Sequence, residues 1–369
     1  MAEDQLNFYK FCDDSEALKM ENFNYLKKSQ CFMVPEINDK KIFEEVSLYF
    51  NNLGFTKEEQ DSIYRTLSLV LNLGNIKIDD SKYEYGGSVT CSFVKDKYFT
   101  RVLELLGVQE KQFTEGCCAL SRKFIETVTL TPRTKASCEN IRDALAKDLF
   151  NNCFSWIVRK LNLTLAPTKK ARYISIGLLD IFGFEDFKIN SIEQFCINYT
   201  NEKLQNLYIS YVFKAERVIF EAEGLSQHIG MISYDDNEVI IAMLDKAPAG
   251  IFHLLDSSCK MSNGDDEDDK KLVEEIKKFH SKDNRFFSDK LNHMIFGIKH
   301  TAKDVKYTTN GFVEKNKDEL PENLLECLKL GEKELMKIFQ GKLTHDEEIE
   351  EKVKNPKDKY LGYKFRAEM

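Results

Sequence analysis

Asp180 closes an apolar run, Tyr173-Ile-Ser-Ile-Gly-Leu-Leu179, and is followed by Ile181-Phe182-Gly183-Phe184-Glu185. A short apolar run bounded by turn residues reads as a buried strand. An Asp at its end, followed by a glycine turn, is a layout found in phosphoryl-transfer proteins. There the carboxylate holds Mg²⁺ through water, and the glycine N–H donates to the γ-phosphate of ATP. On its own the tetrapeptide reads first as a strand end with a turn glycine, because open α/β sheets abound.

The elements that must position this turn are readable on both sides. A helix is expected from about Ser191 to Glu223, with apolar Ile192, Phe195, Cys196, Tyr199, Leu204, Leu207, Tyr208, Tyr211 and Val212. Ser191 with Gln194 makes a capping box at its start. At roughly 1.5 Å per residue, a helix of about 33 residues could carry a small shift some 50 Å. Upstream, two helices over 41–73 are separated by Gly54, another spans 98–107 and stops at Gly107, and a long one covers 139–163. Residues 264–270 and 341–359 are densely charged and read as exposed loops.

The 369 residues carry a net charge of −8, with 42% hydrophobic and 31% charged side chains. That is ordinary for a globular chain with a substantial core. The acidic balance gives no support to nucleic-acid binding, which needs a basic face. Ten cysteines are scattered without a CxxC spacing, which argues against a zinc site and a secreted disulfide framework. Reduced thiols in a cytoplasmic protein fit best. No run of 18 apolar residues indicates a transmembrane helix.

The longer string narrows the reading. Asp180-Ile-Phe-Gly-Phe-Glu-Asp-Phe187 runs into Asn190-Ser-Ile-Glu-Gln-Phe-Cys-Ile-Asn-Tyr-Thr-Asn-Glu-Lys-Leu-Gln205. It closely resembles switch II and the relay helix of the myosin motor domain. Phe23-Asn-Tyr-Leu26, Leu73-Gly-Asn-Ile76, Arg142-Asp-Ala-Leu-Ala-Lys147, Phe154-Ser-Trp-Ile-Val158, His300-Thr-Ala-Lys-Asp-Val-Lys-Tyr307, Gly311-Phe312 and Glu314-Lys-Asn-Lys-Asp318 resemble further landmarks in family order. The divergent loops resemble those of unconventional protist myosins, including apicomplexan gliding motors.

The resemblance implies a helix-rich α/β fold, an incomplete P-loop NTPase-type motor core. Its implied parts are an upper-subdomain portion over 1–172, the switch II strand–loop and relay helix over 173–224, a lower actin-binding portion over 225–340, and a charged surface loop over 341–369. It further implies ATP and Mg²⁺ as cofactors. Asp180, Ile181, Phe182 and Gly183 would face the nucleotide, Asp180 would stand near Mg²⁺, and Gly183 would bond the γ-phosphate. Glu185 would pair with a switch I arginine and position the attacking water. Thr127, sixteen residues before Asp143, would be a regulatory position in an actin-binding loop. Gly250, Ile251, Phe252, Leu254 and Leu255 resemble part of an actin-binding helix–loop–helix, although the same apolar residues could equally be core. Actin filaments are the implied partner, in the cytoskeleton, with light chains only where a lever arm exists.

The phosphate-loop pattern G-x-x-x-x-G-K-[ST] is not in this sequence. The one Gly-Lys pair, Gly341-Lys342, is followed by Leu343 and lacks the first glycine. The Asn- and Ser-rich switch I loop is not found either. The chain therefore reads as a motor fragment with little activity of its own. The alternative is a motor-derived protein that binds actin without hydrolysis.

Overall fold

The computed structural model describes residues 3–11, 19–85, 88–124, 127–166, 176–225, 234–261, 266–289, 292–316 and 320–329. The chain forms two compact units. One comprises 1–173 with 320–353, and the other 174–319 with 354–369.

Local chemistry sets the element ends of the first unit. Asn38 accepts from the Lys41 N–H to start α1 (Asp39–Asn52). Gly54, at φ +75°, turns the chain. Thr56 and Glu59 then exchange hydrogen bonds in a capping box that opens α2 (Lys57–Leu73). The hairpin β1 (Ile78–Tyr85) and β2 (Ser88–Phe93) follows. Next comes α3 (Lys97–Leu106), capped by Asp96 and ended by left-handed Gly107. Then come α4 (Glu110–Cys118), the hairpin β3 (Ala119–Phe124) and β4 (Thr127–Pro132), and α5 (Lys135–Leu165). Leu69, Leu73, Phe99, Val102, Leu106, Phe113 and Leu145 fill the core with Cys91, Cys117, Cys118 and Cys138. Burial pushes the Cys117 thiol up, so these cysteines act as small apolar residues.

The second unit is built on α6 (Ile192–Ile209), which continues through a π-turn at Ser210–Lys214 into α7 (Ala215–Ala222). The Ser191 N–H donates to Gln194 at its start, the second half of the expected capping box. Around α6 stand α8 (Glu238–Asp245), α9 (Ile251–Met261), α10 (Asp266–His280) and an antiparallel sheet. The sheet runs β5 (Phe286–Ser288), β6 (Ile295–Lys299), β7 (Asp304–Thr308) in spatial order, before α11 (Phe312–Asn316). Phe195 sits at the centre, with ring centroids of Phe252, Tyr307 and Phe296 at 4.7, 5.2 and 5.9 Å. The chain then returns to the first unit as α12 (Glu322–Lys329), packed so closely that a Cβ on Gly116 would come within 3.0 Å of the Leu324 backbone.

The helix-rich expectation holds, and so do the helices over 41–73, 98–107, 139–163 and 191–222, the last as one continuous rod. Two expectations are corrected. Residues 176–179 form no interior parallel strand: Ile176 is 89% and Leu178 95% exposed, and 176–190 has no regular secondary structure. A central strand needs hydrogen-bonded neighbours for its N–H and C=O groups, and among the described residues none pairs with this run. Its first part, 173–175, lies outside the described residues, as does 341–369. The acidic run is also not simply an exposed loop. From Asp266 it is helical, and buried Asp269 accepts from the Gly311 and Val313 N–H groups at 2.6 and 3.0 Å, capping α11.

Candidate functional site

The loop over 180–190 leans on α6 through backbone groups, and polar residues of the helix meet them. The Glu185 N–H donates to Asn198 Oδ1 at 2.8 Å, and Asn198 Nδ2 donates back to the Glu185 carbonyl at 2.8 Å. One turn further on, Asn201 Nδ2 donates to the Phe182 carbonyl at 3.2 Å. Gln194 Nε2 donates to the Glu185 carboxylate at 3.2 Å. Positions 194, 198 and 201 share one helix face, so one rigid element holds the loop at several points.

The far end of the loop is tied to the sheet. Asn190 donates to the Lys306 carbonyl, while the Thr308 N–H donates to the Asn190 carbonyl at 2.8 Å. Asp186 pairs with Lys303, whose ammonium holds that carboxyl below its ordinary value.

The expected site residues fall as follows. Asp180, Ile181, Phe182 and Gly183 are exposed, and Glu185 is half-buried. A Cβ built on Gly183 would meet no protein atom within 4 Å, so open space borders the loop backbone there. Among the described residues the Glu185 carboxylate has no cationic partner, and no cluster of three or more His, Cys, Asp or Glu could hold a metal ion. Thr127 is the first residue of β4, paired with Phe124 at the end of β3. Its neighbour Glu126 lies outside the described residues.

Of the two readings open for Gly250–Leu255, an exposed patch or core, the structure shows core packing. Ile251, Phe252, Leu254 and Leu255 are buried in the core around Phe195, and Gly250 is buried with a would-be Cβ 2.6 Å from the Asp245 carbonyl carbon. The amphipathic pattern was that of a core helix.

Sequence reasoning missed the polar chain beneath the loop. Asn198 Nδ2 also donates to the Tyr307 hydroxyl at 2.9 Å, and that hydroxyl lies 2.8 Å from His300 Nε2. His300 Nδ1 lies 3.2 Å from Glu202, whose carboxylate also accepts from the Thr301 N–H and hydroxyl and from Asn237 at 2.6–2.7 Å. Asn198, Glu202, Asn237 and His300 are all buried. The available signal was Asn198 and Glu202, four residues apart inside an otherwise apolar helix stripe.

Burial pushes the Glu202 carboxyl up, but its hydrogen bonds to His300, Thr301 and Asn237 outweigh that and hold it below its ordinary value of 4.5. A depressed folded-state value contributes stability that is present above 4.5 and is lost as pH falls through the folded value. Urea unfolding followed from pH 6 downward should therefore lose stability below about pH 4.5. Glu202→Gln should flatten that slope while lowering stability at neutral pH. An unchanged slope in Glu202→Gln would remove this carboxylate from the account.

The 180–190 loop is thus joined through its backbone to one long helix and, at its far end, to a small antiparallel sheet. The comparisons identify the family. The myosin head (motor domain) family matches over residues 10–368. The chain is 34% identical to Myosin-8 of Arabidopsis thaliana, over 84% of this chain and 21% of that protein. It is 32% identical to Myosin-52 of Schizosaccharomyces pombe, over 99% and 24%. With Unconventional myosin-Vc of Homo sapiens it is 33% identical, over 87% and 18%. The chain belongs to the myosin motor-domain family, and it spans about a fifth to a quarter of the length of these relatives.

Proposed function

We propose that this chain is part of an actin-based cytoskeletal motor in which ATP binding and hydrolysis are coupled to filament binding through the Asp180–Glu185 loop and α6. One observation carries the reading. The Glu185 peptide is hydrogen-bonded in both directions to Asn198, so a nucleotide-dependent shift of the loop moves against a stiff rod.

The residues present suit the roles the family implies. Mg²⁺ keeps several waters and takes only one or two carboxylates beside substrate phosphates, which suits exposed Asp180 acting through water. Bound there, Mg²⁺ would neutralise charge on the phosphates. Gly183 offers a backbone with no side chain in the way, and Ile181 and Phe182 flank it. Glu185 positions the attacking water and pairs with an arginine supplied by another part of the motor. Thr127, at the start of β4, is the proposed regulatory position, where a phosphate or acidic group would alter charge on the actin-facing loop the family implies. Actin filaments are the proposed partner and the cytoskeleton the proposed site of action. Light chains would belong to a lever arm in the longer protein.

Expressed alone, the chain is expected to show no ATP hydrolysis, with or without actin filaments. Phosphoryl transfer depends on an electrostatic phosphate cradle, and the G-x-x-x-x-G-K-[ST] pattern is not among these residues. A steady-state phosphate-release assay tests this. Actin-stimulated turnover by this chain would overturn the assignment of the phosphate cradle to another part of the motor.

A further inference from the structure

The polar chain under the loop has a direction that the backbone dictates. Glu185 presents an N–H and a carbonyl to one side chain, Asn198. The N–H requires an oxygen and the carbonyl requires an NH₂, so the Asn198 amide has only one satisfactory orientation. Its second N–H then points at the Tyr307 hydroxyl, 2.9 Å away, and the tyrosine oxygen must accept. The tyrosine proton is left to donate to His300 Nε2 at 2.8 Å, so that nitrogen carries no proton. The ring proton therefore sits on Nδ1, facing the Glu202 carboxylate at 3.2 Å. Glu202 is fixed in turn by the Thr301 N–H and hydroxyl and by Asn237. The Phe184 ring packs edge-on against the imidazole at 5.3 Å and closes the loop side.

We infer that His300, as the neutral Nδ1–H tautomer, is a positioning residue for the switch loop, acting through Tyr307 and Asn198 on the peptide of the proposed catalytic Glu185. Its relevance to hydrolysis rests on the function proposed above; its action on the loop does not. A second ring proton on Nε2 would face the tyrosine oxygen and leave the tyrosine proton without its acceptor. Exchanging the tautomer would break the chain at two places. Every donor and acceptor from Glu202 to Glu185 is assigned in one sense only, which is how a buried network specifies a single arrangement.

Two measurements on the full 369-residue chain test this, and neither uses nucleotide. The first is ¹⁵N spectroscopy of ring-labelled histidine, with His300 assigned among the six histidines by the signal lost in His300→Gln. The expected signature at neutral pH is a neutral ring protonated on Nδ1. A ring protonated on Nε2, or on both nitrogens, overturns the inference without touching the motor assignment. The second is hydrogen exchange at the Glu185 amide. Tyr307→Phe removes the relay hydroxyl but keeps the ring, and should speed exchange there about tenfold, the effect of one lost buried hydrogen bond. The amides of Ile298 and Val305 in the neighbouring sheet should stay protected. His300→Gln, whose side-chain oxygen can still accept the tyrosine proton, should hold Glu185 more tightly than His300→Leu does. Unchanged Glu185 exchange in Tyr307→Phe, or equal exchange in the two His300 variants, defeats the inference. If Tyr307→Phe does not fold, the tautomer of the unmodified chain still decides.

Discussion

In a full-length motor carrying this segment, Glu185→Ala is expected to slow the hydrolysis step about a thousandfold, the upper range for losing one transition-state contact, while ATP still binds. On the proposed function the carboxylate would act after binding, as the loop closes around the water, and the phosphate cradle that dominates affinity would be supplied by another part of the motor. The structure separates this effect from misfolding. What joins Glu185 to α6 is its peptide, which alanine retains, and the side chain makes one hydrogen bond, to Gln194 at 3.2 Å. Loss of stability should therefore stay within about 0.5 kcal/mol, as for surface changes. Gly183→Ala should act in the same direction: a methyl there meets no protein atom within 4 Å, so folding is spared, while on the proposed function it would crowd the open space beside the backbone that is to meet the phosphate. Single-turnover hydrolysis with a nucleotide-binding control decides both. Normal hydrolysis in Glu185→Ala would show that this loop is not the catalytic switch.

Phe195→Ala should have the largest effect on stability, a loss of about 3–5 kcal/mol. Phe195 is 1% exposed, and four aromatic rings surround it, from Phe252 at 4.7 Å to Phe312 at 6.1 Å. These rings come from α9, β6, β7 and α11, which hold one another in place and limit collapse into the cavity. Phe154→Ala, on a 59%-exposed ring of α5, should cost far less. Urea midpoints followed by far-ultraviolet circular dichroism compare the two. Similar midpoints would mean that the core is not organised around Phe195.

Much of the helical framework was legible because its signals are local. Gly54 and Gly107 mark helix ends through their backbone freedom, Ser191 with Gln194 marks a helix start, and α6 shows its apolar stripe over several turns. The expected strand at 174–179 depended on partners that no local pattern supplies: Ile174, Ile176, Leu178 and Leu179 record a tendency to burial, and the neighbouring strand decides whether it is met. Ile251–Leu255 left two readings open for a different reason. An amphipathic helix end looks the same whether its apolar face meets a partner or the core, and here the Phe195 cluster takes it. The loop's chemistry was readable from Asp180, Gly183 and Glu185, whereas the chain through Asn198, Tyr307, His300 and Glu202 joins residues up to about a hundred positions apart. Only the fold brings those together.

The π-turn at Ser210–Lys214 sets the two sections of the rod out of register. Each such turn admits one extra residue, and one residue is about 100° of rotation around a helix axis. Side chains beyond it, among them exposed Val218 and Ile219, are therefore set out of phase with the stripe of Phe195 and Tyr199 that anchors the near half. The rod has two sections geared a quarter-turn or so apart. If the five-residue turn tightens to an ordinary helical one, the distal section must swivel, even though nothing at the loop has been pushed along the axis. On the proposed function, a shift at Glu185 would then reach α7 as a twist rather than as a thrust.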